Sequence, residues 1–200
     1  MSQFGLGAVG EEVARRGGVV RTRDLLAAGI HRRDLYAARD RGEIVELARG
    51  VYGGSEHVVT EPDLVAVATR IPKSVFCCVT ALHVHGLTLE IPRAVHIAVP
   101  MGTRPPRLRY PPLEVYLVSP ASFVVGVEER VIDGVRVWLT TPAKSVADMF
   151  KFRRRVGFEA ALDALKQALR ERAATPGEID AMAKVCRVQA IVRPYLEALA

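Results

Sequence analysis

The side chains best able to do chemistry in this sequence are hydrogen-bond donors spaced along one short segment, residues 30–41. At about 100° per residue, Arg32, Tyr36 and Arg39 fall on one side of a helix, with Arg33 beside them. The opposite side holds apolar residues: Ile30, Leu35, Ala37 and Ala38. A helix that reads DNA must bury one face against partner helices and offer donors to base edges and phosphates on the other. The pattern therefore predicts a recognition helix.

The flanking segments predict that this helix belongs to a winged helix-turn-helix. Thr22 is predicted to cap a short helix that ends at Ala28-Gly29, and a tight turn then leads into the recognition helix. Two short strands around a glycine-containing turn follow, at residues 43–47 and 51–52. Further candidate DNA contacts lie before the first helix of the pair and at the tip of the wing: Arg21, Arg23 and Arg49.

The roles of the individual donors stay open at this point. Arginine can bond guanine through two hydrogen bonds, and either arginine or tyrosine can bond a phosphate. The acidic residues Asp34 and Asp40 are close enough in sequence to pair with some of the arginines. The alternative is therefore a winged fold that contacts protein, with its arginines solvated.

Histidines and cysteines form a second group that invites a chemical interpretation. His83 and His85, with His96 further along, suggest a metal site, but residues two apart point away from each other on a helix. Cys77 lies in an apolar run and is typical of a small buried hydrophobe rather than a nucleophile. We expect packed or hydrogen-bonded histidines and no metal.

Motifs typical of enzymes are weak or missing in the sequence. Gly5-x-Gly7-x-x-Gly10 matches a dinucleotide-binding fingerprint, but no strand precedes it and no βαβ unit surrounds it. The chain has no G-x-S-x-G motif, no P-loop and no clustered acids of the kind that hold catalytic metals. We therefore expect no catalytic residue and no cofactor. Two alternatives remain: an enzyme acting on nucleic acid with a winged targeting domain, and a protein-interaction adaptor.

The charge balance favours a polyanionic partner. The chain has 200 residues and a net charge of +6, with a pI of about 9.5. Most of the excess lies in a proline-rich loop and a later run, which are candidates for secondary phosphate contacts: Arg104, Arg107, Arg109, Lys151, Arg153, Arg154 and Arg155. The sequence lacks a secretory signal and any apolar stretch of roughly 20 residues, so we expect a cytoplasmic protein with no membrane contact. Three cysteines without a framework spacing are expected to be reduced and buried.

Beyond the wing, the pattern predicts a second domain. Gly53-Gly54-Ser55 is interpreted as a linker, so the domains are predicted at residues 1–55 and 56–200, with Thr60 capping the next helix. Strands are predicted at 94–99, 113–118, 129–132 and 135–139, the last two joined by Asp133-Gly134. Helices then begin at Thr141-Pro142, at Phe158 and at Thr175. Strands followed by helices indicate an α+β fold class, here a winged helix-turn-helix followed by a mixed α/β domain.

Several of these segments together resemble a known family. They are residues 18–36 (GVVRTRDLLAAGIHRRDLY), Arg41-Gly-Glu-Ile, Arg49-Gly-Val-Tyr52, Thr80-Ala-Leu-His-Val-His-Gly-Leu87, His96-Ile-Ala-Val-Pro100 and Thr141-Pro-Ala-Lys-Ser-Val-Ala-Asp148. This combination resembles the AbiEi antitoxins of the type IV (AbiE) toxin–antitoxin systems, over nearly the whole chain. The N-terminal segments resemble the winged domain of that family, and the later ones resemble its C-terminal antitoxin region.

The resemblance implies a transcriptional repressor that binds inverted repeats in its own promoter. In that family the winged domain binds double-stranded DNA, and the C-terminal domain counteracts a nucleotidyltransferase toxin without forming a stable complex with it. By position, the resemblance assigns the DNA contacts to Arg21, Arg23, Arg32, Arg33, Tyr36, Arg39 and Arg49. It assigns no residue to the antitoxin activity.

Overall fold

The computed structural model describes residues 7–55 and 60–199, which fold into two compact units. The first unit takes the described residues up to Pro72 together with the hairpin tip Val131–Arg136, and the second takes Lys73–Arg130 and the chain from Val137 onward. The predicted division at residues 55 and 56 borders residues 56–59, which lie outside the described part. The compact units divide the chain after Pro72, and the helix that begins at Pro62 lies in the first unit.

The first unit has the order of elements of a winged helix fold. Its elements are α1 (Ala8–Arg15), β1 (Val19–Arg21), α2 (Thr22–Ala27), α3 (Arg32–Asp40), β2 (Ile44–Ala48), β3 (Val51–Gly54) and α4 (Pro62–Arg70). The strands form an antiparallel sheet in the order β1-β3-β2. The apolar stripes of the first three helices enclose one core with the sheet: Val9, Val13, Val20, Leu25, Leu35, Ala38, Ile44 and Tyr52.

Three local predictions in this unit are wrong. Thr22 is the first residue of α2 rather than its N-cap, because its hydroxyl is directed to the carbonyl of Gly50 instead of the helix's own N–H groups. Gly53 and Gly54 are not a linker but the end of β3, where Gly53 leaves room for the side chain of Leu47. Thr60 does not cap α4, whose N-cap is Glu61.

The N-terminus of α4 receives its acceptor from a distant part of the chain. The carboxylate of Asp133 accepts hydrogen bonds from the backbone N–H groups of Thr60 and Glu61, at 3.0 and 2.8 Å. It also accepts a hydrogen bond from the hydroxyl of Thr60, with 2.9 Å between the two oxygen atoms. An acid that bonds free N–H groups at a helix start stabilises the helix, and here it ties residues 131–136 to the first unit.

The second unit is a five-stranded sheet with helices, as the α+β fold class predicts. Its elements are β4 (Val75–Phe76), α5 (Cys78–Val84), β5 (Val95–Pro100), β6 (Leu113–Val118), α6 (Pro120–Val124), β7 (Val127–Ile132), β8 (Val135–Thr140), α7 (Pro142–Lys151), α8 (Arg153–Val156), α9 (Phe158–Arg170), α10 (Pro176–Val185) and α11 (Gln189–Leu199). The strand order is β6-β5-β4-β8-β7. Strand β5 is antiparallel to β4 and parallel to β6, and β4 is parallel to β8.

The predicted hairpin turn and helix caps that follow the wing are confirmed. Asp133 and Gly134, which lie in the part of the β7–β8 hairpin that belongs to the first unit, both have positive φ, at 47° and 78°, as the two-residue turn requires. Thr141 caps α7, and Thr175 forms a complete capping box with Glu178 at α10. Apolar residues of α5, α7, α9, α10 and α11 then pack on one face of the sheet to form the core.

Candidate nucleic-acid interface

Helix α3 presents the two faces that its sequence predicts. Leu35 and Ala38 are completely buried, whereas Arg32, Arg33 and Arg39 are exposed and Tyr36 is 41% exposed. Two side-chain charges stabilise this short helix at its ends. Asp34 lies in the first turn and Arg39 in the last, where each charge complements the helix dipole.

Four of the predicted DNA contacts surround one open concavity of about 470 Å³. Arg32, Tyr36 and Arg39 line it from α3, and Arg49 lines it from the turn between β2 and β3. The rest of the lining comes from α2 and the hairpin: Thr22, Glu46, Gly50 and Tyr52. Three guanidinium groups and two phenol rings therefore converge where the helix faces the wing.

Arg39 is held in place on this surface by its neighbours. Its Nη2 atom lies 2.8 Å from Oδ1 of Asp40, and Nη1 lies 3.9 Å from Oε2 of Glu46. Its guanidinium carbon lies 5.3 Å from the centre of the Tyr36 ring, a cation–π distance. The hydrogen bond with Asp40 raises the pKa of Arg39 above its usual value. The predicted pairing of an arginine with Asp40 is confirmed. The paired Arg39 lies beside Tyr36.

The wing turn is fixed to the start of α2 by hydrogen bonds. The carbonyl of Gly50 accepts the backbone N–H of Thr22 at 2.9 Å and its hydroxyl at 3.3 Å. The N–H of Gly50 donates to Oε1 of Glu46 at 3.0 Å, and Nη2 of Arg70 donates to the carbonyl of Arg49 at 3.0 Å. Gly50 has φ +79°, a conformation that favours glycine. These bonds fix the wing turn, and with it the backbone of Arg49, to the start of α2 and to α4.

Tyr52 forms the floor of the concavity between the wing and α3. Its side chain is only 2% exposed, and burial raises the pKa of its hydroxyl. Neither Tyr52 nor Glu46 was among the predicted site residues. Glu46 lies opposite Tyr52 where β2 pairs with β3, and no pattern in the sequence shows that this pair meets α3.

The remaining predicted contacts of the first unit lie outside this concavity. Arg33 is on α3 with its side chain 92% exposed, and Arg23 is 73% exposed beside Asp24. Arg21 lines a separate cavity with Arg16, and partial burial lowers the pKa of its guanidinium.

The basic residues of the second unit differ in whether they contact neighbouring groups of the protein. Arg104, Arg107 and Arg109 are exposed in the loop between β5 and β6, and Arg154 is exposed in α8. Arg155, by contrast, pairs with Glu114 and lies 4.1 Å from the centre of the Tyr116 ring. In the same run, Arg153 donates to the carbonyl of Phe150, and Lys151 lies 5.6 Å from the Phe152 ring centre.

The histidines and cysteines behave as hydrogen-bonded or packed residues. His85 Nε2 lies 2.7 Å from the carbonyl oxygen of Thr140, and His96 Nδ1 lies 3.0 Å from the hydroxyl of Tyr116. All three cysteines are buried free thiols, as expected. In the described part of the chain, no group of three or more histidines, cysteines and acids is arranged to hold a metal ion. The glycine-rich motif begins at Gly5, outside the described residues, and its last glycine is buried in α1.

The comparison with protein families gives one match, which lies within the first unit. A family model described as "Transcriptional regulator, AbiEi antitoxin" matches residues 10–53. The match runs from α1 into β3, and in this region it confirms the resemblance drawn from the sequence. We call residues 10–53 the AbiEi domain, after the family model that they match. The concavity between α3 and the wing lies within these residues.

Comparison with solved structures confirms the fold class. The crystal structure of the RV2827C protein from Mycobacterium tuberculosis is similar to this chain, with a TM-score of 0.59 and 14% sequence identity. The similarity covers 94% of this chain and 79% of that one. At this identity it establishes a shared α+β fold and nothing about activity. A search of curated proteins gave no match. Among the described residues, no helix has both the length and the apolar character needed to span a membrane.

Proposed function

We propose that this protein is a sequence-specific DNA-binding repressor, the antitoxin of a type IV toxin–antitoxin system, and that it represses its own promoter. The observation that carries the proposal is the convergence of Arg32, Tyr36, Arg39 and Arg49 on one concavity of the AbiEi domain. It is supported by the family description, which is that of a transcriptional regulator.

The proposed interaction places α3 in the major groove and the wing against the adjacent backbone. Exposed guanidinium groups on α3 are suited to bidentate bonds with guanine, and each good pair of this kind is worth about 1–3 kcal/mol against a wrong base. Arg33, Arg23 and Arg21 are proposed as phosphate contacts that set the register. Arg104, Arg107, Arg109 and Arg154 are proposed as secondary phosphate contacts. Lys151, Arg153 and Arg155 are weaker candidates, because each already contacts a neighbour.

The antitoxin part of the proposal rests on the family rather than on geometry. The resemblance implies inverted repeats in the promoter, and a nucleotidyltransferase toxin counteracted without a stable complex. We propose that the protein acts in the cytoplasm, needs no cofactor and catalyses no reaction.

Titration of the protein against its own promoter fragment and a scrambled fragment, at near-physiological salt, tests the DNA-binding proposal. Specific binders exceed non-specific binding by about a thousandfold or more. Arg32→Ala, Tyr36→Ala and Arg39→Ala are each expected to abolish most of this preference. Arg15→Ala is the matched control, because it removes an exposed arginine of α1 that does not line the concavity.

Two outcomes would overturn the proposal. Equal, weak binding to both fragments would favour the adaptor or the enzyme interpretation instead. Wild-type binding by the three α3 variants would show that another surface contacts the DNA. If the promoter is preferred, rescue of growth from a co-expressed neighbouring nucleotidyltransferase tests the antitoxin role separately.

A further inference from the structure

The second unit has a groove between α5 and α9 that the DNA-binding proposal does not use. We call it the α5–α9 groove, and its volume is about 540 Å³. Three elements form its walls, namely α5, the loop that follows it from Gly86 to Glu90, and α9.

The floor of the α5–α9 groove is apolar. Leu82, Leu87 and Met149 lie at its base and are almost completely buried, at 1%, 3% and 1% exposed. On the α9 side the floor is made by Ala160 and Ala164, one helical turn apart, so a partner can approach the helix closely. This floor suits the apolar face of an inserted segment.

A leucine stands fully exposed at the edge of this floor. Leu89 lines the groove and is as exposed as in an extended chain, at 102%. Burying a leucine side chain is favourable, so its exposure leaves a favourable interaction for a partner to make. A single exposed leucine is ordinary on a protein surface. Leu89 differs because it lies beside the apolar floor of the groove, so a partner can contact both at once.

The rim of the groove is acidic although the chain as a whole carries a net charge of +6. Glu90, Glu159 and Asp163 line it, and within the described residues neither Glu90 nor Glu159 forms an ion pair. Asp163 lies 3.5 Å from Lys166. The one guanidinium in the lining, that of Arg170, donates to Gln167 at 2.6 Å and lies 3.4 Å from Glu171. Negative potential therefore surrounds an apolar floor.

We propose that the α5–α9 groove binds a basic amphipathic helix of a partner protein. Such a helix places its apolar residues on the floor and against Leu89, while its lysines or arginines meet Glu90, Glu159 and Asp163. The same carboxylates repel DNA phosphates and anionic lipid headgroups, so the charge favours a basic protein segment over either polyanion. The proposal does not depend on DNA binding by the AbiEi domain.

A designed helical peptide of leucine and lysine, labelled with a fluorophore, is the probe for this proposal. Fluorescence anisotropy with the full chain at near-physiological salt is expected to show saturable binding, and a leucine and glutamate peptide is expected not to bind. Reversing two rim charges, Glu159→Lys with Asp163→Lys, is expected to weaken binding about tenfold or more. The matched control reverses two exposed acids elsewhere on the same unit, Glu129→Lys with Glu197→Lys.

Leu89→Ser tests the apolar part of the contact without affecting the fold, because the side chain is 102% exposed. It is expected to weaken peptide binding about tenfold, in line with the loss of one buried leucine. Promoter binding in the same preparations is expected to stay as in the wild type, which separates failure of this proposal from failure of the proposed function.

Three results would overturn the proposal. If the rim and control reversals weaken peptide binding equally, the peptide is attracted by charge without regard to the groove. If Leu89→Ser binds the peptide as tightly as the wild type does, the peptide does not bind in the α5–α9 groove. If sedimentation shows wild-type dimers that Leu89→Ser dissociates, the occupant is a second copy of this chain.

Discussion

Lys144 donates to both carboxylate oxygens of Asp148, at 2.6 and 2.7 Å, inside the core of the second unit. The two side chains are 2% and 1% exposed, and the thiol of Cys186 also donates to Asp148, at 3.3 Å. Burial disfavours the ammonium charge, but the adjoining carboxylate of Asp148 outweighs it and raises the pKa of Lys144. Burial likewise raises the pKa of Cys186, to about 11. The core thus contains a charged pair whose members depend on each other.

Breaking this pair from one side is expected to destabilise the second unit strongly. Lys144→Met leaves a buried carboxylate without its cation, and Asp148→Leu leaves a buried ammonium, each at a cost of about 3–5 kcal/mol. The double variant removes both charges and is expected to recover most of that loss. Urea unfolding followed by the fluorescence of Trp138, the only tryptophan, measures the free energy of unfolding.

The exposed pair Lys166 and Asp163 provides the control for this experiment, since its side chains are 52% and 74% exposed. Lys166→Met is expected to change stability by less than about 1 kcal/mol. A loss that small for Lys144→Met would contradict the mutual dependence of Lys144 and Asp148.

His96 is expected to make the second unit lose stability as the pH falls. Burial lowers the pKa of His96 to about 4, against 6.5 for an exposed histidine. Between these values the unfolded chain binds a proton that the folded unit does not, so stability falls with acidification by up to about 1.4 kcal/mol per pH unit. The nearest charges, Glu114 and Arg155, act on the same ring in opposite directions.

Comparing urea unfolding at pH 7 and pH 5 checks this expectation. His96→Gln lacks the titrating ring, so its loss of stability between the two pH values is expected to be smaller than that of the wild type. His31→Gln, at an exposed histidine of the first unit, is expected to keep the wild-type difference. An unchanged pH dependence in His96→Gln would contradict the assignment of the effect to His96.

The elements that the sequence predicts well are those whose local signals agree. Helix α3 combines an apolar stripe at helical spacing with a preceding glycine turn, so the sequence predicts it at nearly its observed bounds. Helix α10 carries a complete capping box, so the sequence predicts where it starts. Strand β1 was missed because three residues, Val19–Arg21, are too short for an alternating pattern. Its pairing with β3 joins residues that are far apart in the chain.

The contacts that the sequence does not predict are those between distant segments. Asp133 lies more than 70 residues from Thr60, and nothing local identifies it as the acceptor at the start of α4. Likewise, Lys144 and Asp148 have the spacing of an ordinary exposed helix pair, and only the packing of distant elements, α5, α9 and α10, against α7 buries them. For the same reason the sequence predicts Arg32, Tyr36 and Arg39 on one helix face but not their convergence with the wing. That convergence brings in Arg49, Glu46 and Tyr52 and required the fold.

Gly126 is expected to tolerate no side chain, for a reason that goes beyond its backbone conformation. Its φ is +68°, and a Cβ atom there would lie 2.8 Å from Cβ of Lys144 and 2.9 Å from Sδ of Met182. Gly86 has nearly the same φ, +70°, and among residues 7–55 and 60–199 no atom lies within 4 Å of such a Cβ. Gly86→Ala is expected to cost only the roughly 1–2 kcal/mol of the left-handed conformation.

Gly126→Ala adds overpacking to that cost and is expected to lose a further 1–3 kcal/mol, approximately, in free energy of unfolding. Urea unfolding of the two variants side by side measures the difference. Equal losses would show that the core around Lys144 and Met182 adjusts to the extra methyl group.

The salt dependence of promoter binding is expected to separate phosphate contacts from base contacts on the AbiEi domain. Arg49 lies on the wing turn that Gly50 fixes to α2, which suits it to neutralise one phosphate. Arg49→Ala is therefore expected to reduce the slope of log affinity against log salt by about 0.9, because one counterion fewer is released on binding. Tyr36→Phe removes a hydroxyl but no charge, so it is expected to weaken binding with the slope unchanged. Titrations at several salt concentrations measure both slopes, and an unaltered slope in Arg49→Ala would place the wing away from the DNA backbone.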